Sequence, residues 1–280
     1  MKKQLILSTN SDFATTKPEQ FRLIKEAGFD GVFTYGEDEK IDDFSKDLKE
    51  LGMVYQSVHA PYVGTDALWE DDEEAARKML DKLMLSLNKC VKNEIPLLVM
   101  HAYIGFDKHT PGNIGVERFG EIVRTAEGSG VKLAFENTEG MEYLEKLMDA
   151  FKNEGHVGFC WDSGHEMCCN YSIDMLGKYG DRLLGTHLND NLGIKNSDDI
   201  ITWTDDLHLL PFDGIADWSA IASKLNSLNF EGPLTFELNT KSKPERHDND
   251  KYMNMPIKTF LAEAYARACK IRRMLENNNR

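Results

Sequence analysis

The sequence predicts an α/β fold of the (β/α)8 TIM-barrel class, and three observations carry the prediction. Eight short β-prone runs alternate with amphipathic helical stretches along the chain. The 280 residues suit one such barrel, for which about 250 is typical. Histidines and carboxylates recur at the carboxyl ends of successive runs, which in this fold converge on one mouth.

The first run is Leu5–Thr9 (LILST). It follows two lysines, but a signal peptide would need a longer apolar core followed by small residues, so it reads as a strand. Further strands are expected over Asp30–Tyr35, Val54–His59, Leu97–His101, Lys132–Asn137, Val157–Asp162, Leu183–Leu188 and Leu234–Leu238. Continuous apolar runs of this length fit strands covered on both faces, as in a parallel sheet. Between them the spacing predicts helices over Pro18–Ala27, Ile41–Leu51, Glu73–Asn93 and Val116–Gly128. The pattern continues with Met141–Asn153, Ile173–Tyr179, Trp218–Leu228 and Ile257–Leu275. Pro18 suits a first helical turn, and Gly28 and Gly52 suit left-handed C-terminal positions. A doubly wound open sheet would more often show fewer strands and a glycine-rich loop after the first, and LSTNSDF has no such loop. No linker-like segment divides the chain, so residues 1–280 are read as one barrel domain.

The composition, 41% hydrophobic and 29% charged, is that of a soluble globular protein. No apolar run approaches the roughly 20 residues of a membrane span, and a cytoplasmic protein is expected. The five cysteines are odd in number and irregularly spaced, which fits a reducing compartment. Cys168 and Cys169 read as buried or bystander thiols. The formal charge of −14 argues against nucleic acid as a partner. The stretch from Tyr62 to Ala76 carries Asp66, Glu70, Asp71, Asp72, Glu73 and Glu74 without one base.

Strand three ends in His59, strand four in His101 and strand five in Glu136. Strand six ends in Asp162, with His165 three residues on. Strand seven ends in His187 and strand eight in Glu237, and the loop after strand seven adds Asp206 and His208. Such groups buried at strand ends cost several kcal/mol unless paired or ligated. Their convergence therefore predicts a divalent-metal site. Imidazole nitrogens and carboxylate oxygens without a well-placed cysteine suit Zn²⁺, Mn²⁺, Co²⁺ or Fe²⁺ better than Ca²⁺. His109, His156 and His247 lie in polar loops or beside glycine and read as surface residues. Asp190 can either orient His187 or hold a turn. Trp161 alternates away from the barrel interior and reads as core, whereas Tyr62 and Tyr103 follow metal-type histidines and are candidates to line a substrate pocket.

The order HAPY, MHAY, FEN, WDSGH, THLND, DLHLLPFDG and FEL resembles the xylose-isomerase-like superfamily of TIM barrels, across essentially the whole chain. That group includes sugar-phosphate isomerases and epimerases, ketose 3-epimerases, inosose dehydratase and endonuclease IV. The resemblance implies a central metal site at Glu136, Asp162, His187 and Glu237, with Glu136 and Glu237 also the catalytic acid–base pair. The ligands of the trinuclear zinc site of endonuclease IV fall on the same four and on His59, His101, His165, Asp206 and His208. One ion at the centre, and up to three in all, is implied.

The favoured activity is isomerisation or epimerisation of a sugar, sugar phosphate or related polyhydroxy carbonyl compound. Proton transfer would pass through a metal-stabilised enediolate, with the pKa values of the two glutamates drawn toward neutrality by the dry mouth. The alternatives are an endonuclease IV-like phosphodiesterase and an inosose-dehydratase-like lyase. The bases nearest the mouth are Lys17, Lys108, Lys195, Lys241, Lys243 and Arg246, enough for a substrate phosphate and thin for a duplex. The segment NDNLGIKNSDD lacks the arginine with which ketose 3-epimerases usually bind substrate. Barrels of this type often self-associate, so a homo-oligomer is expected.

Overall fold

The computed structural model describes the chain except residues 1, 11, 14, 37–39, 107–109, 196–197, 199 and 279–280. His109 and Lys108 thus lie outside the described residues. Eight parallel strands alternate with helices in a nearly closed barrel. In chain order they are β1 (Leu5–Ser8), α1 (Lys17–Ala27), β2 (Gly31–Tyr35), α2 (Ile41–Leu51), β3 (Val54–His59), α3 (Glu73–Lys92), β4 (Leu97–His101) and α4 (Asn113–Ala126). There follow β5 (Lys132–Glu136), α5 (Met141–Ala150), β6 (Val157–Asp162), α6 (Ser163–Met167), α7 (Met175–Tyr179), β7 (Leu183–His187) and α8 (Trp218–Ser227). β8 (Leu234–Phe236), α9 (Asp250–Met253) and α10 (Ile257–Asn278) complete the order. Each strand from β1 to β6 pairs with its successor, and β1 also pairs with β8. A parallel bridge between Leu188 and Phe236 brings β7 and β8 together, with the Leu188 N–H donating to Thr235 O at 2.7 Å.

Local signals set the turns. Gly28 (φ +111°) and Gly52 (φ +63°) end α1 and α2 in the left-handed region, as expected of glycine there. Asp72 caps α3, its carboxylate accepting the Ala75 N–H at 3.0 Å, and Glu73 and Glu74 fill the first turn. Much of the acidic run in this stretch therefore faces the positive end of a helix dipole. α4 starts three residues before the predicted Val116 because the extended backbone of Gly112 lets the helix begin at Asn113. α5 stops at Ala150 rather than Asn153. The five-residue α6 is too short for apolar periodicity to reveal.

Alternation along the strands separates two cores. Phe135, Phe159 and Trp161 pack outward beneath the helices, while Leu97, Val99, Ala134 and Cys160 form a small apolar plug inside the barrel. Trp161 is buried as predicted, and its Nε1–H donates to Glu166 Oε2 at 2.7 Å. The plug closes the barrel beneath the strand ends, so polar side chains two residues further along stand on a dry floor.

The long connection after β7 is held by Asp190. Its buried carboxylate accepts N–H groups from Asn191 (2.9 Å), Phe212 (2.9 Å), Ala216 (3.0 Å) and the Trp218 indole (3.0 Å). Of the two roles open to Asp190, holding the loop is the one built here. Its backbone also pairs with that of Leu209, next to His208. Replacing Asp190 with Ala leaves the buried donors of Phe212, Ala216 and Trp218 unpaired. Denaturant unfolding should show a stability loss of about 3 kcal/mol or more. A variant unfolding at the wild-type midpoint would contradict this account of the loop.

Candidate metal centre at the barrel mouth

The nine side chains singled out in the sequence meet at the carboxyl end of the barrel and form three groups, two of them sharing Glu136, each with its donor atoms within 4.8 Å of one another. The central group is Glu136, Asp162, His187 and Glu237, carried by β5, β6, β7 and the residue after β8. His59 and His101, from β3 and β4, share Glu136 with it. His165, Asp206 and His208 form the third group, from α6 and the loop after β7. Seven of them are buried, His101 is 9% exposed and Asp206 is partly exposed.

Hydrogen bonds fix which atom each residue presents. His59 Nδ1 lies 2.8 Å from Ala60 O, so it carries the proton and turns Nε2 toward Glu136 Oε2 at 3.1 Å. His165 Nδ1 is likewise 3.0 Å from Asn137 O, leaving Nε2 at 3.3 Å from Asp206 Oδ1. His187 Nδ1 stands between Glu136 Oε1 (2.7 Å) and Glu237 Oε2 (2.9 Å), with Phe33 stacked against its ring at 4.6 Å. Asp162 is held by the His165 N–H (2.7 Å) and the Asn189 amide (2.8 Å). A Cβ at Gly164 would come within 1.9 Å of the Asn189 amide oxygen, which explains the glycine of SGH. His208 adopts φ +47°, costly for a residue with a side chain, in the loop that Asp190 anchors.

The donor set fits a metal ion. Glu237 Oε2, Asp206 Oδ1, His101 Nδ1 and His208 Nδ1 are buried without a well-formed hydrogen bond. Two of them nonetheless lie 2.9 Å from a histidine nitrogen. Close approach without hydrogen-bond alignment is how ligand atoms gather around a common cation.

Charge within the cluster is finely divided. Burial disfavours ionised Glu136, yet His187, His101 and His59 hold its carboxyl well below the usual range. Glu237 is brought to about 2 against burial by His208 and His187. The expected drift of these glutamates toward neutrality is thus reversed, because the imidazolium field outweighs desolvation. Asp162 goes the other way, pushed up to about 6 chiefly by burial. Burial opposes the imidazolium of His208, but Asp206 and Glu237 raise it to about 9. Burial similarly opposes His165 and His187, and the surrounding acidic groups raise both well above the ordinary histidine value.

Above these groups lies a cavity of about 240 Å³. Tyr62 lines it and stacks on His101 at 4.8 Å. Tyr103, predicted to line it as well, instead stacks face to face on Tyr143 of α5 at 4.1 Å and is turned away from it. That stack gives the Tyr103 ring apolar partners that an acidic cavity does not offer. Three contributors receive no role from the sequence alone. Tyr35 donates its hydroxyl to Glu237 Oε1 at 2.5 Å, Asn189 holds Asp162, and Glu139 reaches the cavity wall. Tyr35 ends a strand as the ligands do, which was the available signal; Asn189 and Glu139 sit in loops with no spacing rule. Arg246, counted among the bases near the mouth, is buried against Asp205 (3.1 Å) and Asp248 (2.9 Å). Lys243 lines the cavity. His247 is exposed as expected, while His156 is half-buried and bonded to Val123 O at 2.9 Å.

A probable endonuclease 4 of Cenarchaeum symbiosum is 26% identical over 165 residues, covering 55% of this chain and 57% of that one. Of four curated relatives, the chain spans between 23% and 59% of the length. Among solved structures, the 3-keto-D-glucoside 4-epimerase YcjR from E. coli superposes with a TM-score of 0.69 at 17% identity, over 96% of this chain and 100% of that one. The IOLI protein with a bound zinc atom superposes with a TM-score of 0.73 at 18% identity, over 99% of both chains. These structural likenesses establish the fold. The model of the xylose isomerase-like TIM barrel family matches residues 21–255, and with the eight-stranded barrel and its mouth described, the chain belongs to that family.

Proposed function

We propose that the chain is a metal-dependent isomerase or epimerase acting on a sugar, a sugar phosphate or a related polyhydroxy carbonyl compound. The observation that carries this reading is the placement of Glu136 and Glu237 on either side of His187 beneath a small cavity. Proton transfer at carbon needs a carboxylate to take the proton and its conjugate acid to return it, and two buried glutamates, both held ionised by neighbouring histidines, flank one point where either can do so. At about 240 Å³ the cavity is smaller than the roughly 300–1,000 Å³ of drug-sized pockets, which suits a small polyhydroxy compound.

A divalent ion held by Glu136, Asp162, His187 and Glu237 would supply Lewis-acid stabilisation of the charge that builds on neighbouring oxygens as the proton leaves. The chain's own residues have separable tasks around it. Tyr35 orients Glu237 through its hydroxyl, and Asn189 keeps Asp162 from rotating. Tyr62 offers an aromatic face and a hydroxyl to a sugar at the wall. The apolar plug of the barrel keeps water from the floor.

A second reading, phosphodiester hydrolysis, is favoured by one specific observation: His59, His101, His165, Asp206 and His208 supply two further ligand groups beside the central one. Three divalent ions against the carboxylates of Glu136, Asp162, Asp206 and Glu237 would leave a positive site that attracts phosphate. Fewer ions leave a carboxylate basic enough to accept a proton.

The deciding measurement is solvent deuterium exchange into a panel of ketoses and their phosphates, with Mn²⁺- or Zn²⁺-loaded protein. Exchange is expected with at least one of them, and Glu237→Gln should lower its rate by about 10²- to 10⁴-fold. No exchange with any substrate, together with nicking of abasic DNA, would favour hydrolysis instead.

Metal uptake should also release protons. His187 is held protonated at neutral pH and must give up its Nδ1 proton to ligate, as His208, at about 9, must give up its own. Because these values are raised, the competing protonated form persists below them, and affinity for the ion should rise as pH climbs from 6.5 toward 9. Calorimetry at pH 7 in buffers of different ionisation heat should report about one proton released per histidine recruited. A binding heat independent of the buffer would contradict this.

A further inference from the structure

We infer that Lys243 limits how many metal ions the mouth holds: it stands as a fixed cation against Asp206, so that the group of His165, Asp206 and His208 binds a divalent ion more weakly than the other two. The inference rests on the metal-binding reading of the nine residues and is independent of which reaction they perform.

The three groups differ in charge. The central group has three carboxylates and the His59–His101 pair shares one of them, whereas the third group has Asp206 alone. Lys243 Nζ lies 3.4 Å from Asp206 Oδ2, while His208 Nε2 reaches both oxygens, at 2.9 and 3.0 Å, and His165 faces Oδ1 at 3.3 Å. The lysine thus shares the carboxylate with the two histidines of the group. An ammonium offers protons and no lone pair, so Lys243 cannot ligate while charged. It cancels the one negative charge that would draw a cation to this group.

Lys243 is also held in place. Its ammonium lies 5.6 Å from the centre of the Trp203 ring and its side chain is only 20% exposed. The two segments that meet here are bolted together one residue from Asp206, where Arg246 pairs with buried Asp205 at 3.1 Å. Lys241 pairs with Asp12 at 3.2 Å, and Ser242 Oγ accepts the Asn249 N–H at 3.0 Å. A cation in a low-dielectric pocket a few ångströms from a ligand oxygen repels an incoming divalent ion far more than one on a mobile surface chain would.

The test is zinc stoichiometry by elemental mass spectrometry. Chelator-stripped full-length protein is reloaded with Zn²⁺ and freed of loosely held ion. Wild-type protein is expected to retain no more than two ions per chain, and Lys243→Met, which keeps the stem against Trp203, to retain one more. Adding His165→Gln to that variant should remove the extra ion and so locate it. Should Lys243→Met not fold, Lys243→Gln gives the same readout. Three ions on wild-type protein, an unchanged count in the soluble variant, or an extra ion that survives His165→Gln overturns the inference. No zinc on the wild-type protein marks the failure of the metal reading itself, and this inference falls with it.

Discussion

The mouth of this barrel depends on burying the Glu136 carboxylate fully, out of reach of water, among three histidines. An isolated carboxylate in such a place would be protonated or would destabilise the fold by several kcal/mol. Here Nε2 of His59 and His101 approach Oε2 at 3.1 and 3.4 Å, while His187 approaches Oε1 at 2.7 Å. One side chain therefore ties four adjacent or near-adjacent strands to a common centre, and the remaining residues follow from it. His187 must carry positive charge or share a cation to stay there, and that in turn settles Glu237, which Tyr35 holds from the other side.

The barrel makes this economical in sequence. A parallel strand turns every second side chain inward, and eight strands bring their last inward residue to one ring. A single His, Glu or Asp closing each of several consecutive apolar runs is then enough to build a polyvalent site. This is why both the barrel and the convergence of these side chains were legible in the sequence: His59, His101, Glu136, Asp162 and His187 each end a strand. The same logic explains the plug, where Cys160 lies two residues below Asp162 and points inward for the same reason.

What stayed hidden lies off the strands. Asn189 and Glu139 take their positions from loop geometry, which no period of two or 3.6 residues encodes. Tyr103 follows His101 much as Tyr62 follows His59, yet the two rings diverge, one onto His101 and one onto Tyr143. Only the packing of α5 beneath that loop separates them. The direction of charge in the glutamates was equally beyond a residue list. Burial alone would lift their pKa values, and it takes the distances to His187 and His208 to see that the imidazolium field prevails.

The division between strand and loop has a chemical consequence. The central group and the His59–His101 pair are fixed by the barrel itself and cannot shift without breaking parallel ladders. Asp206 and His208 instead sit on a connection whose shape depends on Asp190 at one end and on the Arg246–Asp205 pair at the other. Small changes in that connection move one ligand group while leaving the others intact. On the proposed function, a barrel built this way would keep its central acid–base geometry constant and vary the number of cations beside it. That number would decide whether a glutamate stays basic enough to accept a proton from carbon or is so flanked by positive charge that it serves only to hold metal against a phosphate.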